Sequence, residues 1–365
     1  MVRRPIPRKS PVLSASPSPD RIQTLRQVAE TFAFAAAGGL VPGLSGVPAG
    51  YLSGAILAVS AAALAGRPMR VPAALTRTIF VLIGISLGAV VTPAMLHGMA
   101  TYPVSLAVLV VAMACIGVGG AAYLRIVHGW NRVDAHLAAS PGAMSQVLVM
   151  AAELNADLRA IAIVQSMRVV IIAVGLPAGL SLFGFAGHAS RPPVGPLTLA
   201  VLDELAILIV ASAVGAIIAD RLRVPGGLLF GAMLVSAALH GTGLIHAILP
   251  PWVANAAALA LGAIIGARFT NMPLRMLVNF LGAAFGSFAV AVAIAASFGA
   301  VLVAVLSINV AEVMIAFAPG SVDAMMLLAL ALNLDPVYVG AHHVMRIILV
   351  SLSMPLVARR AAAKR

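Results

Sequence analysis

Four stretches of this chain contain no charged residue and are far longer than a membrane crossing. They cover residues 31–66, 78–124, 224–267 and 276–311, whereas about 20 apolar residues span a bilayer. Hydrophobic residues make up 62% of the 365-residue chain and charged residues 9%, while a soluble domain is about 45–50% apolar and about 25% charged. The sequence therefore predicts an all-α polytopic membrane protein and excludes a soluble globular enzyme.

The basic residues indicate a membrane and not a nucleic acid. The net charge is +12, which in a soluble protein would suggest nucleic-acid binding. Here the lysines and arginines lie in short clusters between apolar runs, and such clusters mark the cytoplasmic ends of membrane spans. We therefore predict the lipid bilayer as a partner, with no direct contact to nucleic acid. Residues 1–29 and 359–365 are expected to be basic cytoplasmic termini, the first a flexible tail rich in Pro and Ser.

The chain contains two copies of one unit. VPAGYLSGAIL at 47–57 is matched by VPGGLLFGAML at 224–234, with seven of eleven residues identical. The segment 140–177 also aligns with 318–355 without a gap, and the matches include residue types that are scarce in this chain. We predict membrane repeats over 30–187 and 195–358. The matched scarce residues are Pro141/Pro319, Gly142/Gly320, Asn155/Asn333, Asp157/Asp335, Arg168/Arg346 and Pro177/Pro355.

The distribution of charge predicts how often each repeat crosses the membrane. Segments 92–102, 241–252 and 304–334 hold no Lys or Arg, so we expect them to face outward. If every basic cluster is cytoplasmic, each repeat has about five transmembrane helices, and an odd number means that the two repeats are inverted. The predicted spans are 30–46, 48–66, 76–96, 103–124, 158–184, 197–219, 226–242, 252–268, 276–303 and 335–357.

This count requires that 133–154 and 308–333 enter the membrane and return on the same side. Each segment has a Pro-Gly pair in its middle, and that dipeptide interrupts a helix because it removes a backbone donor and relaxes φ. We therefore expect each to be a re-entrant hairpin of two short helices. The alternative is six crossings per unit with parallel repeats, in which the same segments are kinked, discontinuous full spans.

The two Pro-Gly pairs are candidate substrate or ion sites. Pro141-Gly142 and Pro319-Gly320 each open an apolar helix, predicted over 142–154 and 320–333. The first N–H groups of such a helix lack intrahelical partners and favour an anion. Side chains of the first turn add possible ligands. The simpler alternative is that each pair only marks a loop, and its occurrence at matching positions favours the site. The first-turn residues are Ser145, Gln146, Ser321 and Asp323.

Arg168 and Arg346 are predicted to lie near the bilayer centre. Each follows an Asp by eleven residues, or about 17 Å of helix, and a guanidinium at that depth normally faces the bundle interior. Gln165 and His343 precede the arginines by one turn and extend the same polar face. Substrate or ion contact and a structural role in binding the carbonyls of the broken helix are both compatible with these positions.

Four further residues are candidates for helix capping or for ion binding. Asp335-Pro336 is typical of an N-cap followed by Pro at the first helical position, and Asn333 is suited to end the preceding helix. Asn155 and Asp157 are their counterparts in the first copy. We predict no metal site, no cofactor and no catalytic residue, since the one cysteine, Cys115, excludes a cysteine cluster and no His/Glu cluster has ligand spacing.

The repeated pattern PG-x12-N-x-D-x10-R resembles the AbrB-type membrane protein family, in which the AbrB domain is duplicated. The resemblance covers about residues 28–358 and includes the paired VP-x-G-x3-GA-x-L segments. Many members carry Gly-Gly and an acid after the Pro-Gly, whereas this chain has Ala143-Met144-Ser145 and Ser321-Val322-Asp323. The resemblance implies a multi-pass protein of the bacterial inner membrane with cytoplasmic termini, and a homodimer is compatible with such a fold.

The labels of this family imply two activities, regulation of gene expression and ammonia oxidation. The residues favour neither, because a monooxygenase needs a metal or flavin site and direct transcriptional control needs a DNA-reading domain. The leading hypothesis is a secondary transporter of a small polar or anionic solute that works by alternating access. The alternatives are a membrane sensor that regulates expression indirectly and, with less support, a membrane-bound monooxygenase.

Overall fold

The computed structural model describes residues 21–91, 102–140, 144–182, 184, 199–224, 226–306 and 308–362. Within these ranges every regular element is helical, and the side chains of 145, 146, 149, 199, 200 and 351–362 are not described. The helices of the first half are α1 (Arg21–Leu44), α2 (Gly50–Leu64), α3 (Ala73–Gly88), α4 (Tyr102–His128), α5 (Arg132–Ala139), α6 (Met144–Glu153) and α7 (Leu158–Leu182).

The second half has the same order of elements. Each helix from α8 to α14 begins 177 or 178 residues after its counterpart, except α11, which begins 172 residues after α4. This spacing matches that of the sequence repeat. The helices are α8 (Leu199–Arg221), α9 (Gly227–Gly241), α10 (Pro251–Gly266), α11 (Leu274–Leu306), α12 (Val310–Phe317), α13 (Val322–Ala331) and α14 (Pro336–Ala362).

Several of these helices are long and apolar enough to cross a membrane. Five meet that requirement: Tyr102–His128, Leu158–Leu182, Val201–Arg221, Pro251–Phe269 and Leu274–Leu306. Four other predicted spans contain shorter apolar helices, namely Gly50–Leu64, Ala73–Gly88, Gly227–Gly241 and Pro336–Val350. The prediction of an all-helical chain is confirmed for the described residues, and five of its helices are candidates to span a membrane.

Two boundaries differ from the sequence-based expectation. α1 begins at Arg21, so the end of the segment 1–29, which we expected to be a flexible tail, is helical. The helices after the Pro-Gly pairs begin at Met144 and Val322, two residues later than the expected starts at 142 and 320. In the second half, residues 318–321 are non-helical, and Ser321 with its extended backbone precedes the helix.

The two halves are joined by close helix contacts at glycine. α3 of the first half packs against α9 of the second, and α10 of the second packs against α2 of the first. A methyl group on Gly84 would lie 2.3 Å from the Leu229 carbonyl oxygen, and one on Gly262 would lie 2.8 Å from that of Leu52. The small residues therefore let the backbones of the paired helices approach closely.

The broken segments lie inside this frame. α5 and α12 contact α7 and α14, the last helix of their own half. α6 and α13 contact both of these long helices, so each broken segment also packs against the other half. Arg168 of α7 and Arg346 of α14 are brought near each other where these elements meet.

Replacing Gly84 by Ala is expected to destabilise the protein. The added methyl group collides with the backbone of α9, which cannot rotate away as a side chain can, and overpacking costs about 1–3 kcal/mol. Gly117→Ala is the matched control, because nothing lies within 4 Å of its Cβ position and Ala favours a helix over Gly by about 1 kcal/mol. Thermal unfolding in detergent measures both variants. Equal melting temperatures would contradict the close approach.

Candidate functional site

Each broken segment, α5–α6 or α12–α13, begins and ends beside the long helix that follows it, α7 or α14. In the first half, Asp134 lies in the first turn of α5, and its Oδ1 accepts a hydrogen bond from the backbone N–H of Asp157 at 3.1 Å. In the second half, Oε1 of Glu312 in the first turn of α12 accepts from the N–H of Asp335 at 3.3 Å. The start of α5 therefore lies beside the start of α7, and α12 lies likewise beside α14.

Asp157 and Asp335 have the hydrogen bonds of N-cap residues. Oδ1 of Asp157 accepts from two N–H groups of the first turn of α7, both at 3.0 Å. Oδ1 of Asp335 accepts from two N–H groups of α14 at 2.7 and 3.1 Å. Side-chain acceptors in this position satisfy backbone donors that have no partner inside the helix. The geometry fits capping, the first of the two roles considered from the sequence.

Asn155 and Asn333 end the helices that precede these caps. Their φ angles are 52° and 51°, in the left-handed region that Asn tolerates better than most residues. Leu334 N–H donates to the Ala329 carbonyl oxygen across this turn at 2.9 Å, as in a Schellman C-cap. The backbone conformation therefore accounts for Asn at both positions.

Arg168 and Arg346 are buried and bind the carbonyl groups that follow α5 and α12. Only 6% and 1% of their surfaces are exposed. The last carbonyls of a helix lack intrahelical donors, so each guanidinium satisfies backbone groups that the break leaves unpaired. The bonds run from Arg168 to the carbonyl oxygens of Ala139 and Ser140, at 3.5 and 2.9 Å, and from Arg346 to those of Ala318 and Gly320, at 2.5 and 2.6 Å.

The two arginines keep hydrogen-bonding capacity after these contacts. The Nε–H groups of Arg168 and Arg346 are buried and have no acceptor among the described residues. The two positive charges are also close enough to act on each other. Within the ranges given above, the salt bridges are Arg67–Glu30 and Arg77–Asp220, which involve neither residue. The site thus holds two buried cations and no paired carboxylate.

Gln165 and His343 occupy equivalent places beside these arginines. Nε2 of Gln165 donates to the Leu137 carbonyl oxygen at 2.9 Å. The equivalent carbonyl in the second half, that of Ile315, lies near His343, but neither ring nitrogen of His343 makes a hydrogen bond of good geometry. Both side chains are buried. The two ring nitrogens of His343 are therefore buried polar atoms that lack a well-formed hydrogen bond.

The start of α13 provides further donors. Ser321 precedes the helix with extended backbone and makes no side-chain capping bond, and its buried hydroxyl has no partner in the described part of the chain. Pro319 and Gly320 are buried in the break before it. Asp323, in the first turn, is attracted electrostatically by Arg268 at the end of α10. The first N–H groups of α13 are therefore not capped by a side chain.

The matching residues of the first half are only partly described. Pro141 and Gly142 lie outside the described residues. Ser145 and Gln146 lie in the first turn of α6, but their side chains also lie outside the description. Near the two Pro-Gly tips, the matching side chains described in both halves are those of Arg168 and Arg346 and those of Gln165 and His343.

A cavity of about 760 Å³ lies at one end of the helix bundle. It is bounded by the connection between α1 and α2, the end of α7, the start of α10 and the end of α13, with Tyr51, Ser181 and Asn255 as polar lining residues. None of the predicted site residues lines it. Within the described ranges, no group of three or more His, Cys, Asp and Glu could hold a metal ion.

One polar cluster was not predicted from the sequence. Tyr102 Oη donates to Asp335 Oδ2 at 2.9 Å, and its ring packs edge-on against Tyr338. Ser105, one turn further along α4, lies 2.9 Å from Nε2 of His342. The signal in the sequence was His342, which has no histidine counterpart in the first half, but no spacing predicts that α4 supplies its partner.

The chain is similar to known proteins over most of its length. The family model described as transition state regulatory protein AbrB matches residues 51–362, most of the chain. The chain belongs to the AbrB family. "Putative regulator AbrB" of Escherichia coli (strain K12) is 25% identical over 318 residues, covering 86% of this chain and 90% of that protein. "Uncharacterized protein YhjN" of Bacillus subtilis (strain 168) is 25% identical over 347 residues, covering 88% and 90%. The family suggested by the repeated motif is confirmed.

Substitution of Asn333 separates capping from ligand binding. Gly adopts positive φ without strain, so Asn333→Gly is expected to keep both the melting temperature and the transport activity proposed below. Asn333→Ala is expected to lower the free energy of unfolding by about 1–2 kcal/mol because Ala is disfavoured in the left-handed region. Thermal unfolding and flux measured on the same preparations test this. A stable Asn333→Gly protein without flux would assign the amide to a ligand.

Proposed function

We propose that this AbrB family protein is a secondary transporter of a small anionic or polar solute, built from two inverted repeats of about five transmembrane helices. The repeats comprise residues 30–187 and 195–358. Each contributes one re-entrant, broken helix, and the solute binds between the two breaks. In this proposal the protein lies in the bacterial inner membrane with both termini in the cytoplasm. A homodimer is compatible with this arrangement.

The ends of α4 support the inverted arrangement. Tyr102, at the start of α4, bonds to Asp335 at the start of α14. His128 ends α4, and three residues later Asn131 caps α5, whose Asp134 bonds to the start of α7. Since a 27-residue helix is about 40 Å long, α7 and α14 start at opposite ends of α4. Opposite starting points for equivalent helices favour inverted repeats over parallel ones.

Other polar contacts agree with the charge-based topology. Arg67–Glu30 and Arg77–Asp220 join residues that are both expected on the cytoplasmic side. Glu204 accepts from the N–H groups of His246 and Ala247, in segments expected outside. The four segments that bound the 760 Å³ cavity are likewise all expected outside. This consistency favours hairpins over kinked spans, which would separate Asp134 from Asp157 by the membrane.

The unpaired charge of Arg168 and Arg346 is the observation that supports an anionic solute. Burying two cations near each other is unfavourable unless a negative charge compensates them. The carbonyl oxygens at the ends of α5 and α12 supply partial negative charge, but the two Nε–H groups have no acceptor within the part of the chain that the structure describes. The uncapped start of α13 adds N–H donors with the positive end of the helix dipole. A small carboxylate or phosphate matches these donors.

The names of the relatives favour a second candidate. One relative is called a regulator, and a membrane sensor would bind a solute at the same arginines without moving it. Transport in liposomes that contain only the purified protein distinguishes the two, because a sensor gives binding without flux.

Labelling of single cysteines is expected to confirm the hairpin. In a Cys115→Ser background, His128→Cys and Glu153→Cys, both at exposed positions, should react with an impermeant thiol reagent from the same side of the membrane. His246→Cys should react from the opposite side. Reaction of position 153 from the side opposite to 128 would contradict the re-entrant segment and with it the inverted repeats.

Replacement of either buried arginine is expected to abolish transport. Purified protein in liposomes is assayed with labelled chloride, inorganic phosphate, acetate, pyruvate and succinate. Arg168→Gln and Arg346→Gln keep a donor for the carbonyl groups but remove the charge. Loss of one partner of a buried ionic contact costs about 2–5 kcal/mol, so flux of the transported anion should fall at least about thirtyfold.

Arg67→Gln is the control for this measurement. Its ion pair with Glu30 is exposed, and such pairs contribute about 0–1 kcal/mol, so flux should stay at the level of the unmodified protein. Monodisperse gel filtration of all variants verifies that they are folded. Undiminished flux in a folded Arg346→Gln protein would overturn the proposed anion site.

A further inference from the structure

His342 is a buried imidazole whose two nitrogens have different partners. None of its surface is exposed, and it lies on α14 one turn before Arg346. Nδ1 is 2.8 Å from the carbonyl oxygen of Tyr338, and Nε2 is 2.9 Å from the hydroxyl oxygen of Ser105. A carbonyl oxygen only accepts, so Nδ1 carries a proton and donates to it. In the neutral ring, Nε2 is therefore free to accept.

The contact with Ser105 suits both protonation states of this ring. When His342 is neutral, the Ser105 hydroxyl donates to Nε2. When His342 is protonated, Nε2 donates to Ser105 Oγ, and the hydroxyl turns to donate to the carbonyl oxygen of Tyr102, 3.1 Å from Oγ. Every polar atom involved has a partner in both states, so the buried ring can gain and lose a proton without leaving a donor or acceptor unsatisfied.

His343, the adjacent residue, lacks this property. Neither of its ring nitrogens makes a hydrogen bond of good geometry among the described residues, and only the nearby Ile315 carbonyl could compensate a charge on it. Its position between His342 and Arg346 still matters, because it interacts electrostatically with both. His342 is therefore the better proton acceptor of the two, and His343 lies between it and the arginines.

A series of polar groups connects His342 to the predicted outer end of the bundle. The half-buried carboxylate of Asp335 accepts from Tyr102 Oη, and Glu312 lies next to Asp335. The ring of Tyr338 contacts those of Tyr102 and His342, with centroids 5.3 and 4.1 Å away. The Tyr338 hydroxyl is buried without a partner of good geometry but interacts with Ser105. The hydroxyl groups of Tyr102, Tyr338 and Ser105 therefore lie between Asp335 and His342, although the ring contacts themselves carry no proton.

The charged groups around His342 link its proton to the anion site. α4 contributes Tyr102, α12 contributes Glu312, and α14 itself contributes Asp335, Tyr338, His343 and Arg346. Arg346 is four residues beyond His342, and side chains with this spacing are neighbours on one helix face. A proton on His342 therefore adds a third positive charge to the region of the two arginines. An anion bound there stabilises that proton, and the proton in turn strengthens anion binding.

The first half of the chain has no equivalent of this route. At the matching positions it has Val164 in place of His342, Ala160 in place of Tyr338 and Gln165 in place of His343. None of these three residues takes up a proton. A route from one side only is expected of a transporter that couples its solute to an ion entering from that side.

We propose that His342, with Ser105 as its switchable partner, is the proton-binding site that couples anion transport to proton entry from the outer face through Tyr102 and Asp335. This inference rests on the proposed transport function and names its coupling ion. The transfer is a proton movement only: a proton that enters beside Asp335 and Tyr102 is bound at Nε2 of His342, and the ring returns to its neutral form when that proton leaves toward the cytoplasmic side.

The first test needs no transported solute. Nitrogen NMR of histidine-labelled protein in detergent identifies the His342 signal as the one lost in His342→Gln. That signal is expected to change between neutral and charged positions within the pH range in which the protein stays folded. Ser105→Ala, which keeps the imidazole, should move the midpoint to lower pH, because the charged ring loses its acceptor. A His342 signal that does not titrate overturns the proposal whatever the flux measurements give.

The second test measures flux in liposomes. The labelled anion is the one that moves fastest among chloride, inorganic phosphate, acetate, pyruvate and succinate. In the unmodified protein, outside acidification should accelerate uptake at least about fivefold, the lower end of usual coupling between sites. His342→Gln should retain exchange of the labelled for the unlabelled anion but lose the acceleration. His246→Gln, at an exposed position of the outer face, should retain both. Absence of flux in the unmodified protein counts against the transporter, whereas acceleration that persists in His342→Gln counts against the proton site alone.

Discussion

The structure depends on the way two buried guanidinium groups satisfy interrupted backbone. A helix that stops inside a bilayer exposes carbonyl groups to a medium without hydrogen-bond donors, and each unsatisfied group costs several kcal/mol. Arg168 and Arg346 supply these donors to the ends of α5 and α12 from the middle of α7 and α14. A buried side-chain donor at these two positions is therefore what lets the interrupted backbone remain in the protein interior. The same contacts hold two cations close together in the protein interior.

Structure and proposed chemistry thus share one pair of residues. Each guanidinium uses its terminal nitrogens for backbone carbonyls and leaves its Nε–H for another partner. The sequence left carbonyl binding and solute contact open as alternatives, and the geometry is compatible with both at once. Because of this dual use, replacing either arginine by Gln tests the charge more specifically than replacing it by Ala. Gln retains part of the backbone contact while removing the charge.

Much of the architecture could be predicted because the membrane limits what an apolar chain can form. The gapless match of 140–177 with 318–355 predicted that Arg168 is equivalent to Arg346 and that Gln165 is equivalent to His343. In the structure the two members of each pair occupy equivalent places. The conformation of Asn155 and Asn333 followed from known capping preferences. In contrast, the contacts of His342 with α4 and of Asp323 with Arg268 join residues far apart in the chain. Sequence periodicity carries no information about such pairs, and helix ends such as Arg21 depend on local backbone energetics.

The glycine contacts between the halves have a consequence for conformational change. At Gly84 and Gly262 the backbones of α3 and α9, and of α10 and α2, are already so close that no atom fits between them. Surfaces in such contact resist sliding and rocking, because any shift turns contact into overlap. The four helices are therefore expected to move together as one unit. In the transport proposed above, exchange of access between the two sides would then be a rearrangement of the other helices around this unit.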